Sequence, residues 1–85
     1  MMSSSFIVPC FNSQDTVKIC IDSILHQNNI NENVEIIIID DGSTDNTLDI
    51  INKYDDRKNI KIISYAQNKG LAYARNMGIT NASGD

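Results

Sequence analysis

The chain is short of positive charge. Its seven Lys and Arg face eleven Asp and Glu, a formal net charge of -4 in 85 residues. That excludes a nucleic-acid partner, which needs a clustered basic surface. A phosphate-bearing small molecule remains open, because backbone N–H groups and one or two cations suffice for it. No apolar run approaches the ~18 residues of a membrane span. Met1-Met2-Ser3-Ser4-Ser5 carries no basic segment, and Phe6-Ile7-Val8 is shorter than the roughly seven apolar residues of a secretory signal. A cytoplasmic location is expected, with peripheral attachment to the inner face of the membrane left open. The only cysteines are Cys10 and Cys20, expected as reduced, partly buried thiols rather than a disulfide. There is no G-x-G-x-x-G run, so a dinucleotide-binding oxidoreductase is excluded. Internal repeats, low-complexity tracts and linkers are also absent. A chain of this length makes one domain at most and buries only about 60% of its unfolded surface.

What is present is an alternation of strand and helix patterns. Phe6-Ile7-Val8 reads as a short strand ended by Pro9, which cannot donate to a ladder. From Ser13, a plausible N-cap, Val17, Cys20, Ile21, Ile24 and Leu25 mark one helical stripe. Asn28 to Asn33 reads as a polar loop, and His26 as a helix C-terminal residue interacting with the dipole. Val34 to Ile39 is a nearly continuous β-branched run, suited to a strand covered on both faces. Asp40-Asp41-Gly42-Ser43 reads as a turn, with Ser43, Thr44 or Asp45 capping a second helix whose inward face is Leu48, Ile51 and Tyr54. A charged turn over 55–59 precedes a third strand over 60–65. A loop over 66–70 leads to a third helix from Leu71 to about Ile79, with Leu71, Ala74 and Met77 or Gly78 inward. The reading is an α/β, Rossmann-like order β-α-β-α-β-α around a parallel sheet.

Ligands of open parallel sheets bind beyond the carboxyl ends of the strands. Three segments meet there: Pro9-Cys10-Phe11-Asn12, Asp40-Asp41-Gly42-Ser43, and the stretch around Asn68-Lys69-Gly70. Successive side chains in a strand alternate direction, so one of the two aspartates can face the cleft. A carboxylate there can accept the imide N–H of uracil or ribose hydroxyls; equally, an Asp at a β-to-α turn can serve its own backbone. Phe11 offers a ring for a base or is an ordinary rim residue. Lys69 and Arg75 can approach a diphosphate or be solvated surface. Gly70 and Gly78 allow close backbone approach or helix packing, or are turns and caps, and Asn68 can order its own loop.

With these segments in place, the chain resembles the family 2 glycosyltransferases of the GT-A fold. The resemblance rests on Phe6-Ile7-Val8-Pro9-Cys10-Phe11-Asn12, on Glu35 to Thr47 with its Asp40-Asp41-Gly42-Ser43 core, and on Asn68 to Ile79. It runs from about Ser5 to Asp85, with the motifs in the family's order and spacing. It implies the N-terminal half of that fold, a nucleoside-diphosphate sugar as donor (a UDP-sugar foremost), and inverting transfer to an acceptor hydroxyl. The acceptor, whether saccharide, lipid-linked or protein, stays open. The resemblance implies that Pro9, Cys10, Phe11 and Asn12 line the nucleoside site. Asp41 then contacts the base beside Asp40, with Gly42 and Ser43 next to them, and Asn68, Lys69, Gly70 and Arg75 border the donor. Phe11 stands where the family usually has Tyr, and Cys10 where a small or β-branched residue is frequent. An Asp-X-Asp motif holding Mg²⁺ or Mn²⁺, and a carboxylate base, are expected beyond residue 85, within what would cover the open sheet edge. The 85 residues are therefore expected to be one partial domain, inactive alone, binding no metal and prone to self-association. A binding or scaffold domain on the same fold is the alternative. A receiver-type signalling module fits less well, because its acidic pair follows the first strand rather than the second.

Overall fold

A computed structural model describes residues 4–27 and 34–82. The expected polar loop over 28–33 and the tail over 83–85 lie outside the described residues. The order is β1 (Ser4–Cys10), α1 (Val17–Gln27), β2 (Val34–Asp41), α2 (Thr47–Asn52), β3 (Ile60–Tyr65) and α3 (Leu71–Asn81). The strands form one sheet in the order β1-β2-β3, with both pairings parallel, as the alternation predicted.

β2 is the central strand, and its composition explains why. Ile36, Ile37, Ile38 and Ile39 are fully buried, and their side chains alternate between the two faces. Ile36 and Ile38 pack with Val8, Val17, Ile21, Ile51, Tyr54 and Ile60 under α1 and α2. Ile37 and Ile39 pack with Ala74 of α3, flanked by Ile7, Ile63 and Tyr65. Each buried isoleucine contributes about 1.5–3 kcal/mol of apolar burial. The β-branched run therefore serves a strand sandwiched between helix layers, which an alternating amphipathic strand could not do. Helix α3 packs on β2 and β1, on the face opposite α1 and α2. The chain thus crosses to the other face of the sheet after β3.

Several boundaries differ from expectation. Pro9 does not end β1: it pairs in register with Ile39 and the strand continues to Cys10. Among the described strands β1 is an edge, where the missing N–H costs no ladder bond. β2 runs through both aspartates, which pair with Ser64 and Tyr65, so Asp40 and Asp41 close a strand rather than form a turn. α1 starts at Val17, and its lead-in is bonded through the Ser13 carbonyl, which accepts the Thr16 and Val17 N–H groups at 3.0 and 2.8 Å. The Ser13 hydroxyl donates back to the Phe11 carbonyl, so Ser13 is no side-chain cap. Cys20 is exposed rather than part of the inward stripe, which narrows to Val17, Ile21, Ile24 and Leu25. Leu71 is also exposed, at 57%, because the strands end short of the first turn of α3. The inward positions of that helix are Ala74 and Gly78. At Gly78 a Cβ would stand 2.4 Å from Ile7 Cγ2, which lets α3 lie close on the sheet.

Candidate functional site

The carboxyl edge of the sheet is built from three loops that bind one another. The first and second are joined side by side. Asn12 adopts a left-handed conformation, φ 48°, tolerated by Asn better than by most side chains. In that pose its N–H donates to Ser43 Oγ at 2.9 Å and its Oδ1 accepts the Thr44 N–H at 2.8 Å. One residue on, Ser13 N–H donates to Thr47 Oγ1 at 2.7 Å, and that hydroxyl donates to Asp45 Oδ1 at 2.5 Å. Gln14 completes the join by donating its N–H to Asp45 Oδ2 and accepting from Asn46 N–H. Asp45 also accepts the Thr47 N–H at 2.9 Å; the N-cap position of α2 is Asn46, which makes no side-chain cap bond, so none of the three expected caps holds it. Burial pushes the Asp45 carboxyl up, but the Thr47 hydroxyl and the backbone donors outweigh it and leave it below the usual carboxylate range.

The third loop is held by Asp41. Asp41 Oδ2 accepts Asn68 Nδ2 at 2.8 Å and the Gly70 N–H at 3.0 Å, while Oδ1 accepts the Lys69 N–H at 2.9 Å. Asn68 also donates to the Asp41 carbonyl at 3.1 Å. Burial raises the Asp41 carboxyl, yet the Lys69 and Gly70 N–H groups, the neighbouring Tyr65 hydroxyl and the Lys69 charge together pull it below its ordinary value. The result is an ionised carboxylate, 4% exposed, fixed just ahead of the N-terminus of α3, where the helix dipole also favours negative charge. A carboxylate offers about four acceptor positions. Three are used by loop 68–70, and the Tyr65 hydroxyl adjoins the fourth.

Two glycines make this junction possible. Gly42, at φ +72°, lets the end of β2 run against the third loop: a Cβ there would sit 2.3 Å from Asn68 N and 2.5 Å from Gln67 C. Gly70, at φ 95° and ψ 163°, turns the chain into α3 in a region open essentially to glycine alone.

Beside Asp41 opens a cleft of about 290 Å³. Pro9, Cys10 and Phe11 line it from β1, Asp41 from β2, and Asn68, Gly70, Leu71 and Ala74 from the third loop and α3. Phe11 is 46% exposed and gives the cleft an aromatic wall. Cys10 is buried, and its thiol donates to the Val8 carbonyl. Burial first, then the neighbouring Cys20 and Asp40, push its pKa up to about 12. The Cys10 thiol is accordingly a filler rather than a nucleophile.

The structure therefore brings Pro9, Cys10, Phe11, Asp41, Asn68 and Gly70 together at one cleft. Asn12, Gly42 and Ser43 adjoin it but are engaged in joining the loops. Asp40, 2% exposed, is the register partner of Cys10, and its Oδ1 has no hydrogen-bond partner among the described residues. Lys69 contributes its backbone, while its ammonium lies 5.6 Å from the Tyr73 ring centroid. Arg75 is on the exposed side of α3 and outside the cleft lining. Sequence reasoning missed Tyr65 as a neighbour of the site, and placed Leu71 and Ala74 in the bordering stretch from Asn68 to Arg75 without singling them out. Tyr65 pairs with Asp41 across the sheet and meets Tyr73 edge-on, with centroids 5.3 Å apart. Burial and then the Asp41 carboxylate push its phenol upward.

Fold and cleft together define an open parallel α/β unit with a cleft at the carboxyl edge of its sheet, the edge where such units bind ligands. The sequence profile of the family "Glycosyl transferase family 2" matches residues 5–85, and the chain belongs to that family. It is 40% identical over 86 residues to the poly(ribitol-phosphate) beta-glucosyltransferase of Bacillus spizizenii, an alignment spanning 99% of this chain and 14% of that protein. It is 39% identical to the minor teichoic acid biosynthesis protein GgaA of Bacillus subtilis, covering 93% and 18%. The crystal structure of S. aureus TarS 1-349 in complex with UDP superposes with a TM-score of 0.85 at 33% identity, over 98% of this chain and 25% of that one. The chain thus spans well under half the length of these relatives.

Proposed function

We propose that this chain is the donor-nucleotide-binding part of a glycosyltransferase that moves a sugar from a nucleoside-diphosphate sugar, foremost a UDP-sugar, to an acceptor hydroxyl with inversion. One observation carries the reading: Asp41 is an ionised, immobilised carboxylate lining a cleft that the Phe11 ring also lines. A uracil imide N–H is a single donor beside a flat aromatic face, and the two features suit it together. The TarS structure bound to UDP is consistent with that reading, as is the name beta-glucosyltransferase carried by the Bacillus spizizenii relative. Asn68, Lys69 and Gly70 orient the carboxylate, and the join between Asn12–Gln14 and Ser43–Thr47 holds Phe11 in place opposite it.

The chain's own residues bind and orient. Among the described residues no group of three His, Cys, Asp or Glu side chains is placed to hold a metal ion. They do not fit the Mg²⁺ or Mn²⁺ centre the family resemblance implies, and no carboxylate at the cleft other than Asp41 is placed to act as a base. The 85 residues are accordingly expected to give no sugar transfer by themselves. The test of the binding reading is a titration of the ¹⁵N-labelled chain with UDP. Shifts centred on Phe11, Asp41 and Gly70 support it; saturable shifts elsewhere, with these three unmoved, refute it.

A further inference from the structure

We infer that Tyr65 is a positioning residue for the Asp41 carboxylate, a donor mounted on the sheet beside the three that come from the loop. Its consequence for binding rests on the donor-nucleotide reading above, which requires Asp41 but not Tyr65. Tyr65 is the last residue of β3 and the register partner of Asp41, the last residue of β2. Side chains alternate along a strand, so both belong to the face that carries Ile37, Ile39 and Ile63 under α3. The Tyr65 hydroxyl is buried and makes no hydrogen bond of ordinary geometry to a described residue. A buried phenol hydroxyl normally finds a partner, and the acceptor it adjoins is the Asp41 carboxylate. Burial raises both groups; beyond that, the hydroxyl lowers the acid and the acid raises the phenol.

The ring is braced so that the hydroxyl stays there. Tyr73 of α3 meets it edge-on, with centroids 5.3 Å apart and planes at 89°. The Lys69 ammonium lies 5.6 Å from the Tyr73 centroid, and the Lys69 N–H donates to Asp41 at 2.9 Å. Contacts thus run from Asp41 through Lys69, Tyr73 and Tyr65 and back to Asp41. Tyr65 does not line the cleft, so it acts on a ligand through Asp41 alone. The site has a use for such a group. A ligand seated on Asp41 takes water away from it, and desolvation disfavours the charged form. A donor outside the cleft keeps the carboxylate ionised and aimed without being displaced by what binds.

The experiment uses the full chain as wild type, Tyr65→Phe and Asp41→Asn, with UDP as probe. Tyr65→Phe keeps the ring and its Tyr73 contact and removes only the hydroxyl. The first readout is the titration of the Asp41 carboxyl carbon by NMR, without ligand. Its midpoint should move upward in Tyr65→Phe, while those of Asp22 and Asp45 stay. Lys69 from the third loop, Tyr73 from α3, Asp40 from the same strand and Cys10 from β1 also stand near the carboxylate. All are unchanged in the variant, so the shift reports the hydroxyl. The second readout is the Kd for UDP, expected to rise about threefold to tenfold at pH 7, the scale of one ordinary hydrogen bond. Binding that needs ionised Asp41 is complete above its folded value and lost as pH falls through it, so the variant's deficit should widen toward about pH 4; the titration of UDP itself is common to both proteins. An Asp41 midpoint that does not move in Tyr65→Phe overturns the inference. So does an unchanged Kd at both pH values while Asp41→Asn is impaired, and the nucleotide reading then stands. If wild type and Asp41→Asn bind UDP alike, the nucleotide reading falls, and the Asp41 midpoint alone decides the role of Tyr65.

Discussion

Replacing Gly42 with alanine tests the construction of the site where the structure is least tolerant. Two costs add. An L-residue at φ +72° bears about 1–2 kcal/mol of steric strain. The new Cβ would also lie 2.3 Å from Asn68 N and 2.5 Å from Gln67 C. Both are backbone atoms, so the third loop itself must shift. That loop supplies three donors to the Asp41 carboxylate, and losing one hydrogen bond to a charged group costs a further ~1.5–3 kcal/mol. The sum is about 2.5–5 kcal/mol, against a total of roughly 4–13 kcal/mol for a domain of this size. Gly70→Ala is the control. Its φ of 95° carries strain of about 1–3 kcal/mol, but nothing lies within 4 Å of the added carbon. Urea denaturation of both variants, followed by far-UV circular dichroism, should place Gly42→Ala at least about 1 kcal/mol below Gly70→Ala, with the Asp41, Lys69 and Gly70 amides displaced only in the former. Equal destabilisation, or a Gly42→Ala chain within 1 kcal/mol of wild type, refutes the close-approach argument.

Other perturbations follow from the same geometry. Thr47→Val keeps the shape of a fully buried side chain but strips the hydroxyl from Ser13 N–H and Asp45; a loss of about 1–3 kcal/mol in chemical denaturation is expected, and a neutral result contradicts the loop join. Asp22, Asp41 and Asp45 all have depressed pKa values. Their stabilisation is complete above the unfolded value of 3.8 and is lost as pH falls through the folded values, so Tm should drop below about pH 4; Asp41→Asn should flatten that drop, and an acid limb unchanged in the variant speaks against it. Native protein treated with a thiol reagent at pH 8 should label Cys20 fast and Cys10 only on unfolding, since Cys10 is buried with its pKa near 12; equal rates contradict the burial. The outer edge of β1 and the exposed Leu71, Tyr73 and Ile79 motivate a proposal of self-association, which sedimentation of a strict monomer at high concentration would refute.

Much of the architecture was legible because few interactions set it. The isoleucine run of β2 admits only a strand covered on both faces, and the helical spacing of Val17, Ile21, Ile24 and Leu25 admits only an amphipathic helix. Parallel pairing follows from the alternation. Residues at the ends of elements were less legible. Asp40 and Asp41 look like a turn because their type favours turns, yet pairing with Ser64 and Tyr65 extends the strand through them. Cys20 and Leu71 satisfy helical periodicity, but their exposure depends on how far the neighbouring elements reach, which periodicity does not encode. The roles of Asn12 and Ser43 are set by contacts more than thirty residues apart in sequence. Lys69 and Arg75 carry the right charge for a diphosphate, but one lies over Tyr73 and the other faces away from the cleft. A positive charge in a motif does not specify where its side chain points.

The central claim is that the Asp41 carboxylate takes part in holding a nucleotide at the Phe11 cleft. Titrating the ¹⁵N-labelled chain and its Asp41→Asn variant with UDP tests it most directly. The account predicts saturable shifts at Phe11, Asp41, Gly70 and Leu71 in the wild type, and affinity at least tenfold weaker in the variant, the scale set by one hydrogen bond to a charged group. Equal affinity in the two proteins, or shifts confined to the groove between α1 and α2 around Lys18 and Arg57, would contradict it.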